Sequence, residues 1–411
     1  MSKRILMIAF HFPPVRGSTG LHRTLAFSRY LQEDHGWEPT VLTVHPRAYR
    51  ATEDALLGDI ASGVEVVRAF GCDTSRHLSL RGRYPLRLAL PDEWVTWYLG
   101  AVPAGRKIIR KERPDVIWST FPIATAHLIG RALHRRSEIP WVADFRDSMT
   151  EEDYPTPRRK WKSHRRLEGQ TVAACARAVF TTPGARRMYR ERYPDVPDER
   201  WAVIPNGFDE RIFADVAPSS RREDGRVQLV HSGLLYPSER DPRPFFAAVA
   251  ALRDAGHVSA KDLRIVLRAS GYEAYHKEQI REHGIEDIVG LERAVPYREA
   301  LAEMMNADGL LLFQASNCNH QIPAKIYEYL RARRPILALT DPEGDTAEVL
   351  RGAGCGTIAR LDARDEIAAG MLSFLQNVRA GRGDVASDAA IASHSRRART
   401  TELARMLEEI S

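Results

Sequence analysis

The chain has 411 residues, of which 44% are hydrophobic and 28% are charged, and its formal net charge is +6 at pH 7. This length predicts two or three domains with full cores, and the composition is typical of a globular protein. No segment approaches the roughly 18 consecutive apolar residues of a transmembrane helix.

The N-terminus and the cysteines indicate the compartment. The first residues, MSKRILMIAF, run directly into a strand-like pattern without a cleavage-site composition, so we expect no signal peptide. The cysteines lie far apart in sequence and form no Cys-x-x-Cys pair, at Cys72, Cys175, Cys318 and Cys355. This spacing argues against a zinc site and a disulfide framework, and it favours a reducing cytosol.

In chain order, short apolar runs alternate with amphipathic stretches. The strand-like runs of the first half are 4–10, 39–44, 64–70, 115–121, 140–145, 178–182 and 201–205. After the polar interval 217–226, the pattern restarts with 227–233, 263–270, 287–291, 309–313, 335–339 and 356–361. These runs are continuous rather than alternating, which is typical of parallel strands that are covered on both faces.

The pattern predicts an α/β protein with two doubly wound, Rossmann-like domains facing a central cleft. We place the first domain at residues 1–206 and the second at 207–390. The last segment, 391–411, contains an amphipathic helix that either half could accommodate. Ligands of open parallel sheets bind outside the carboxyl ends of the strands, so the loops at those ends are the candidate sites.

The first candidate loop follows the first strand and holds Gly17 and Gly20 before a helix-like stretch. Small residues there would let a phosphate approach the backbone and the helix N-terminus. A plain strand-to-helix turn that uses glycine for its positive φ is the alternative. The loop is not G-x-G-x-x-G, so a dinucleotide site is only weakly supported.

The second candidate is WVADFRDSM, residues 141–149, where Asp144, Arg146 and Asp147 crowd the end of an apolar strand. They would orient an acceptor hydroxyl, or they would form a structural Asp–Arg bridge. His127 lies in the preceding unit, and a lone histidine there is more often a cap or core residue than a base.

The third and fourth candidates lie in the second half. A strand ends at Gly233, and a turn-rich loop then leads to Arg240 before a helix, which favours anion binding. Further on, Pro323 is predicted in the first turn of a helix, with Lys325 and Glu328 on one helix face. The ammonium would hold phosphates and the carboxylate vicinal hydroxyls, as a nucleotide sugar requires. An ordinary surface pair is the alternative.

Several chemistries lack their motifs. The sequence has no Walker loop, no H-E-x-x-H and no G-x-S-x-G. No Asp-x-Asp ends a strand where it would hold Mg²⁺ or Mn²⁺. We therefore expect no cofactor and no metal, with a nucleotide-sugar donor as substrate.

These motifs, in this order, resemble the GT-B glycosyltransferases, and most of all the large family 4 of retaining, metal-independent enzymes. The resemblance is to the branch that builds bacterial surface polysaccharides and glycoconjugates. It is carried by FHFPPVRGSTGLHR, PWVADFRDSM, VIPNGFDERIF, HSGLLYPSERDP, VPYREALAEMMNADGLLLF and PAKIYEYLRARRPILAL, which span nearly the whole chain. The family implies that 391–411 crosses back to the N-terminal domain, which is the acceptor side.

The resemblance also implies a donor site. It assigns Gly17 to the donor phosphates, Val295 to the nucleobase and Glu328 to the ribose. Leu234 stands where the family carries an Arg that binds phosphate, and Arg240 replaces a Lys. His320 replaces the first of two glutamates, the one that contacts the donor sugar, and leaves the sugar open. The remaining expected donor contacts are Gly233, Gln321, Ile322 and Lys325.

The catalytic assignment rests on four residues. Arg240 and Lys325 are expected to stabilise the leaving diphosphate, and Arg146 and Asp144 to face the acceptor. The family implies that the diphosphate itself accepts the proton of the attacking hydroxyl, so no separate base is required.

The activity predicted from the sequence is transfer of a sugar from a nucleoside-diphosphate sugar, with UDP preferred, to an acceptor hydroxyl. A nucleotide-sugar epimerase of the same fold and a non-catalytic nucleotide-sugar-binding protein are the alternatives.

Basic runs at 106–114, 158–169 and 395–399 suggest a cytoplasmic protein with peripheral contact to the inner face of an anionic membrane, and a lipid-linked glycan as acceptor. Solvated helix faces and a small-molecule acceptor are the alternatives. No nucleic-acid-binding signature accompanies the charge.

Overall fold

The computed structural model describes residues 2–17, 20–81, 83–84, 86–216 and 225–411. Most of the polar interval 217–226 therefore lies outside the described residues. The chain forms two compact units, of which the first comprises Met1–Asn206 and Arg396–Ser411 and the second Gly207–Ser395.

The first unit is built on a seven-stranded parallel sheet with the order β3-β2-β1-β4-β5-β6-β7. Its strands are β1 (Lys3–Ile8), β2 (Trp37–Val44), β3 (Glu65–Ala69), β4 (Val116–Thr120), β5 (Trp141–Arg146), β6 (Arg177–Phe180) and β7 (Trp201–Val203). Its helices are α1 (Gly20–His35), α2 (Thr74–His77), α3 (Trp97–Lys111), α4 (Ala124–Ser137), α5 (Arg158–Ala174) and α6 (Pro183–Arg192). Short 3₁₀ turns occur at Pro46–Ala48, Asp54–Asp59, Leu86–Ala89 and Asp198–Arg200.

The second unit is built on a six-stranded parallel sheet with the order β10-β9-β8-β11-β12-β13. Its helices begin with α7 (Glu210–Ala214), and its strands are β8 (Val227–Ser232), β9 (Leu263–Arg268), β10 (Val289–Glu292), β11 (Gly309–Phe313), β12 (Ile336–Leu339) and β13 (Thr357–Ala359). The other helices are α8 (Arg243–Asp254), α9 (Glu273–Glu282), α10 (Tyr297–Asn306), α11 (Lys325–Ala332), α12 (Asp345–Gly352), α13 (Arg364–Arg379) and α14 (Asp388–Ser393), with a 3₁₀ turn at Ser316–Cys318.

Both sheets reverse their strand order beside their first strand. The chain moves outward from β1 through β2 to β3 and then returns to place β4 on the other side of β1. The second unit repeats this path, with β8 and β11 adjacent. The two doubly wound α/β units predicted from the sequence are confirmed, and each has one switch point where helices leave the sheet in opposite directions.

The continuous apolar runs are explained by burial on both faces of each sheet. In β11, Leu311 and Phe313 belong to one hydrophobic cluster of the second unit, whereas Leu310 and Leu312 belong to another. Successive side chains of a strand point to opposite faces, so these clusters are the two covered faces of the same sheet.

The C-terminal helix α15 (Arg396–Glu408) belongs to the first unit and packs against α1. Its Leu403 and Leu407 are fully buried, and Arg397 forms an ion pair with Asp34 of α1. The residue pattern left open which half this helix joins, whereas the resemblance implied the N-terminal domain. The segment that joins the first unit starts at Arg396, five residues after the boundary that we placed at 391.

Within the described residues, no helix is long and apolar enough to cross a membrane.

Candidate functional site

The second unit gathers the predicted donor residues at its switch point. Gly233 directly follows β8, and α11 begins after the loop that leaves β11. Because β8 and β11 are neighbours in the sheet, their two loops meet at the same edge. Ala315 N–H donates to Glu239 O across 2.8 Å, which joins the loops directly.

Gly233 makes room for the ammonium of Lys325. The φ of Gly233 is 120°, a conformation that favours glycine. A Cβ placed on this residue would lie 2.7 Å from Lys325 Nζ. Glycine is therefore required here for two reasons, and Lys325 lies directly over the end of β8.

His231 contacts the same ammonium group from within the sheet. This histidine is fully buried in β8, and its Nδ1–H donates to Leu311 O at 2.8 Å. The ring is left with Nε2 as an acceptor, 3.3 Å from Lys325 Nζ. Burial, followed by the charge of Lys325, holds the pKa of His231 well below its usual range, so the ring is neutral.

The pKa of Lys325 lies near neutral pH. Burial, followed by the nearby charge of Arg240, lowers its pKa to about 7, while Glu328 acts in the opposite direction. Arg240 donates to Leu234 O at 3.1 Å and lies over the Tyr236 ring, 5.4 Å from its centroid. Two cationic groups therefore lie together at the strand ends, with a carboxylate one helical turn away.

Leu234, the residue at the position where the family carries a cation, is 43% exposed. Its Cδ2 lies 2.8 Å from where a Cβ on Gly271 would be, and Gly271 has a φ of 60°. The loop after β9 therefore packs closely under this leucine.

Glu328 faces α10 rather than acting only as a neighbour of Lys325. The Tyr297 hydroxyl donates to Glu328 Oε1 at 2.5 Å. Val295 lies two residues before Tyr297, partly buried against the same hydrophobic cluster as α11. The position assigned to the nucleobase and the carboxylate assigned to the ribose are thus linked by α10.

A buried glutamine shapes the loop that carries His320. The Gln314 side chain donates to Cys318 O and Gln321 O, each at 2.8 Å. His320 Nε2 lies 3.4 Å from Gln321 Nε2, and Ile322 is buried at 9% exposure. Sequence reasoning missed Gln314 because a single polar residue after a strand looks like an ordinary loop residue.

The prediction for Pro323 was wrong by two residues. Helix α11 begins at Lys325 with Ala324 as its cap, so Pro323 precedes the helix. The Pro323 carbonyl accepts from Ile326 N–H at 2.9 Å and closes a tight first turn.

In the first unit, Asp144 forms a buried ion pair with Arg23. Arg23 Nε donates to Oδ2 at 3.0 Å and Nη2 to Oδ1 at 2.9 Å, with side chains 3% and 0% exposed. Thr120 Oγ1 adds a bond at 2.9 Å, and Arg23 also donates to the carbonyls of residues 204 and 205. Asp144 therefore has an evident structural role, and the catalytic role that we assigned to it stays a prediction. The predicted Asp–Arg bridge exists, but its arginine is Arg23 rather than Arg146.

Arg146 ends β5 in an unusual conformation, with a φ of 59° for a residue that is not glycine. Its Nη1 donates to Phe121 O at 3.4 Å. His127, in contrast, is a core residue: it is fully buried and its Nδ1 lies 2.8 Å from Ser119 Oγ, as the bland interpretation of a lone histidine predicts.

Gly17 has a φ of 78°, and a Cβ there would meet nothing within 4 Å. Positive φ alone explains the glycine, so both the phosphate-loop and the plain-turn interpretations of this loop remain predictions. Residues 18 and 19 of the same loop lie outside the described residues.

In the described part of the chain, no group of three or more His, Cys, Asp or Glu side chains is placed to hold a metal ion. Metal independence stays a prediction.

Comparison with known proteins identifies the first unit. Residues 19–207 match a family model described as a glycosyl transferase 4-like domain. These residues, just under half of the chain, are therefore similar to that family. No curated protein is significantly similar to the chain in sequence.

Solved structures identify the fold of the chain. The trehalose-phosphate synthase from Burkholderia xenovorans, solved with glucose-6-phosphate, has a TM-score of 0.67 at 12% identity and covers 98% of this chain and 100% of its own. Anabaena HepE, solved with UDP and glucose, has a TM-score of 0.64 at 16% identity, over 98% and 99% of the two chains. The chain therefore has the GT-B fold, as the resemblance implied.

The fold is also similar to that of an enzyme of another class. A UDP-N-acetylglucosamine 2-epimerase has a TM-score of 0.53 at 12% identity, over 96% of this chain and 91% of that one. The fold therefore does not separate the two classes of enzyme, whereas the family model that matches residues 19–207 describes a glycosyl transferase 4-like domain.

Replacing Asp144 tests its structural role. Asp144→Ala would leave a buried guanidinium unpaired, and we expect unfolding of the first unit to become easier by about 3–5 kcal/mol. All seven tryptophans of the chain lie in the first unit, so urea unfolding followed by tryptophan fluorescence reports on this unit alone. Asp147→Ala, at an exposed neighbour, serves as control and should change stability by less than about 0.5 kcal/mol. An Asp144→Ala protein with unchanged stability but no activity would support the catalytic assignment.

Proposed function

We propose that this glycosyltransferase moves a hexosyl group from a nucleoside-diphosphate sugar to an acceptor hydroxyl, with retention and without a metal. The observation that carries the proposal is the position of Lys325 Nζ over Gly233, at the switch point of the second sheet. Lys325 and Arg240 lie on one side of this point, and Glu328 follows one helical turn later.

The chemistry follows the charge that develops as the donor reacts. The bond between the anomeric carbon and the diphosphate oxygen breaks, and negative charge grows on the diphosphate. Lys325 and Arg240, beside the N-terminus of α11, are the groups proposed to stabilise it. The acceptor oxygen bonds to the anomeric carbon, and its proton passes to the departing diphosphate.

The rest of the donor is assigned to neighbouring residues. Glu328, oriented by Tyr297, binds the ribose hydroxyls, and the backbone around Val295 contacts the base. His320 and Gln321, with Ile322 beside them, face the sugar. The histidine in place of a glutamate implies a different pattern of hydroxyl recognition from that of most relatives.

UDP is the proposed nucleotide. HepE was solved with UDP and with UDP-glucose, and the trehalose-phosphate synthase is described as UDP-forming. These ligands belong to those proteins, and they support UDP here only through the shared fold. The proposed pathway is polysaccharide or glycoconjugate synthesis in a bacterium.

A basic face of the first unit supports contact with an anionic membrane. Helices α3, α4 and α5 pack side by side. Their exposed cations include Arg106, Lys107, Arg110, Arg135, Arg159, Lys162 and Arg166. Burial, together with the charges of Arg135 and Arg166, lowers the pKa of Arg131, which places cations of α4 and α5 close together. The exposed Leu99 lies in the first turn of α3, and the exposed Phe70 lies against Gly100 of the same helix.

The third basic run, 395–399, is different, because Arg397 pairs with Asp34 and Arg399 pairs with Glu402.

The epimerase alternative shares the fold and needs no acceptor. Incubating the protein with UDP-sugars in the absence of acceptor separates the two, since an epimerase would convert the donor to its epimer. A protein that binds UDP but neither transfers nor epimerises any sugar would favour the non-catalytic alternative.

Separate kinetic effects are expected at Glu328 and Arg240. Glu328→Gln should raise the donor KM about tenfold or more with a smaller effect on kcat, because the ribose is bound equally in ground and transition states. Arg240→Gln should mainly lower kcat, by about 10- to 1000-fold, because charge on the diphosphate grows in the transition state. Glu348→Gln and Arg243→Gln, at exposed positions, are the matched controls. Wild-type kcat and KM in both site variants would contradict the assignment.

UDP binding should take up a proton. Lys325 is mostly neutral above its pKa of about 7, and a bound diphosphate favours the ammonium. The UDP affinity should therefore fall between pH 7 and 8.5, approaching about tenfold per pH unit. Calorimetry in two buffers of different ionisation enthalpy measures the proton directly. Lys325→Met should bind UDP weakly and without proton uptake, whereas pH-independent binding by the wild type would exclude this role.

Membrane contact is tested by co-sedimentation with phosphatidylglycerol vesicles. Replacing Arg159, Lys162 and Arg166 by glutamine should weaken binding roughly 100-fold, since each cation near an anionic surface contributes about 1 kcal/mol. The control replaces Lys277, Arg281 and Arg351, exposed residues of the second unit, and removes the same charge. Equal effects of the two triple variants, or no binding by the wild type, would contradict the proposed face.

A further inference from the structure

A second group of basic side chains lies in the first unit, at the carboxyl ends of its strands. His11 follows β1, His22 lies in the first turn of α1, and Arg146 ends β5. The proposed donor machinery contains none of these three residues.

Backbone hydrogen bonds and the buried ion pair bring these residues to one place. Phe121 N–H donates to Asp144 O at 3.0 Å, and the Arg146 guanidinium donates to Phe121 O. Arg23, the neighbour of His22, binds Asp144 two residues before Arg146. The start of α1 is therefore held against the end of β5, beside the loop after β1.

Each of the two histidines lies within electrostatic range of Arg146. Burial, followed by the charge of Arg146, lowers the pKa of His11 to about 4. The pKa of His22 falls to about 3 through burial, with smaller contributions from Arg396 and Arg146. Both rings are consequently neutral at pH 7.

Two carboxylates lie near Arg146. Asp144 is bound by Arg23. Asp147 is exposed, and its charge adds to the effect of burial in raising the pKa of Tyr154. Within electrostatic range of Arg146, these are the carboxylates that favour its charge.

Arg146 has an N–H group without an acceptor. Among the described residues, its buried Nε has no hydrogen-bond partner. A buried donor that is left unpaired is unfavourable, and an anion that accepts its hydrogen bond would remove this penalty. The left-handed backbone of Arg146 is equally unusual, and Thr181 holds it by donating to the Arg146 carbonyl from both N–H and Oγ1.

We propose that Arg146, His11 and His22 form a binding site for a phosphate group carried by the acceptor. Arg146 supplies a fixed charge and an unused donor, and the two imidazoles donate hydrogen bonds and gain protons as the anion binds. The phosphate would belong either to a sugar phosphate or to a prenyl diphosphate. That the ligand is the acceptor rests on the proposed function, whereas phosphate binding at these residues does not.

The test measures binding by calorimetry to the full-length protein carrying Lys325→Met, which weakens phosphate binding in the second unit. The probes are glucose 6-phosphate, glucose and farnesyl diphosphate. We expect one of the phosphate-bearing probes to bind and glucose to bind at least about tenfold more weakly. Preference between the two phosphates identifies the source, and failure of both phosphate-bearing probes to bind more tightly than glucose would overturn the proposal.

Two variants locate the site. Arg146→Asn, in the same background, should weaken phosphate binding about tenfold or more, and asparagine tolerates the left-handed backbone, so the protein should fold. His11→Gln should weaken it less. Asp147→Asn, which removes a nearby negative charge, should leave binding unchanged or strengthen it. Phosphate binding that survives Arg146→Asn and His11→Gln in folded proteins would exclude this site.

A pH series with sulfate isolates the histidines, because sulfate does not titrate between pH 5.5 and 7.5. Both rings are neutral in the empty site and protonated in the complex, so sulfate should bind more tightly as pH falls. The gain should be smaller in His11→Gln, and an equal gain in both proteins would contradict a role for His11.

UDP binding to the protein without Lys325→Met is measured in parallel. Intact UDP binding without phosphate binding overturns the inference alone, and the reverse result overturns the proposed donor site alone.

Discussion

The reversal of strand order beside the first strand of each sheet determines where this chain can place reactive groups. At β1 and β4, and again at β8 and β11, neighbouring strands send their following helices to opposite faces. The loops between them have room for a ligand and bring free backbone N–H groups toward it. Residues that are remote in sequence, such as Gly233 and Lys325, therefore come within a few ångströms of each other.

The two switch points are stabilised in different ways. In the first unit a buried ion pair, Arg23 with Asp144, holds a helix, a strand and the carbonyls of residues 204 and 205 together. In the second unit a neutral histidine beneath Lys325 and the buried Gln314 fix the loops. The first arrangement resists movement because charge separation in a buried site is costly. In the second arrangement Lys325 has a pKa of about 7, so a bound anion can favour its protonated form.

Much of the fold could be predicted because the signal is local and repeated. Continuous apolar runs mark strands buried on both faces, and the glycine and charged residues after them mark the strand ends. The same reasoning located Gly233, Lys325 and Glu328 at the edge of the second sheet. The pairing of Asp144 with Arg23 was not predicted because the two residues lie 121 positions apart, and no periodicity reveals such a pair. His231 was missed because a histidine inside an apolar strand looks like core, and the positive φ of Arg146 has no signature in sequence.

The close packing of Leu234 on Gly271 couples the loop after β8 to the loop after β9. A Cβ at position 271 would lie 2.8 Å from Leu234 Cδ2, so the leucine side chain would have to shift, and the positive φ of Gly271 also disfavours a side chain. Substitutions at the two positions are therefore not independent: what is tolerated after β9 depends on what stands after β8. An arginine at position 234 would lie against the same loop, so its effect is expected to depend on the residue at position 271.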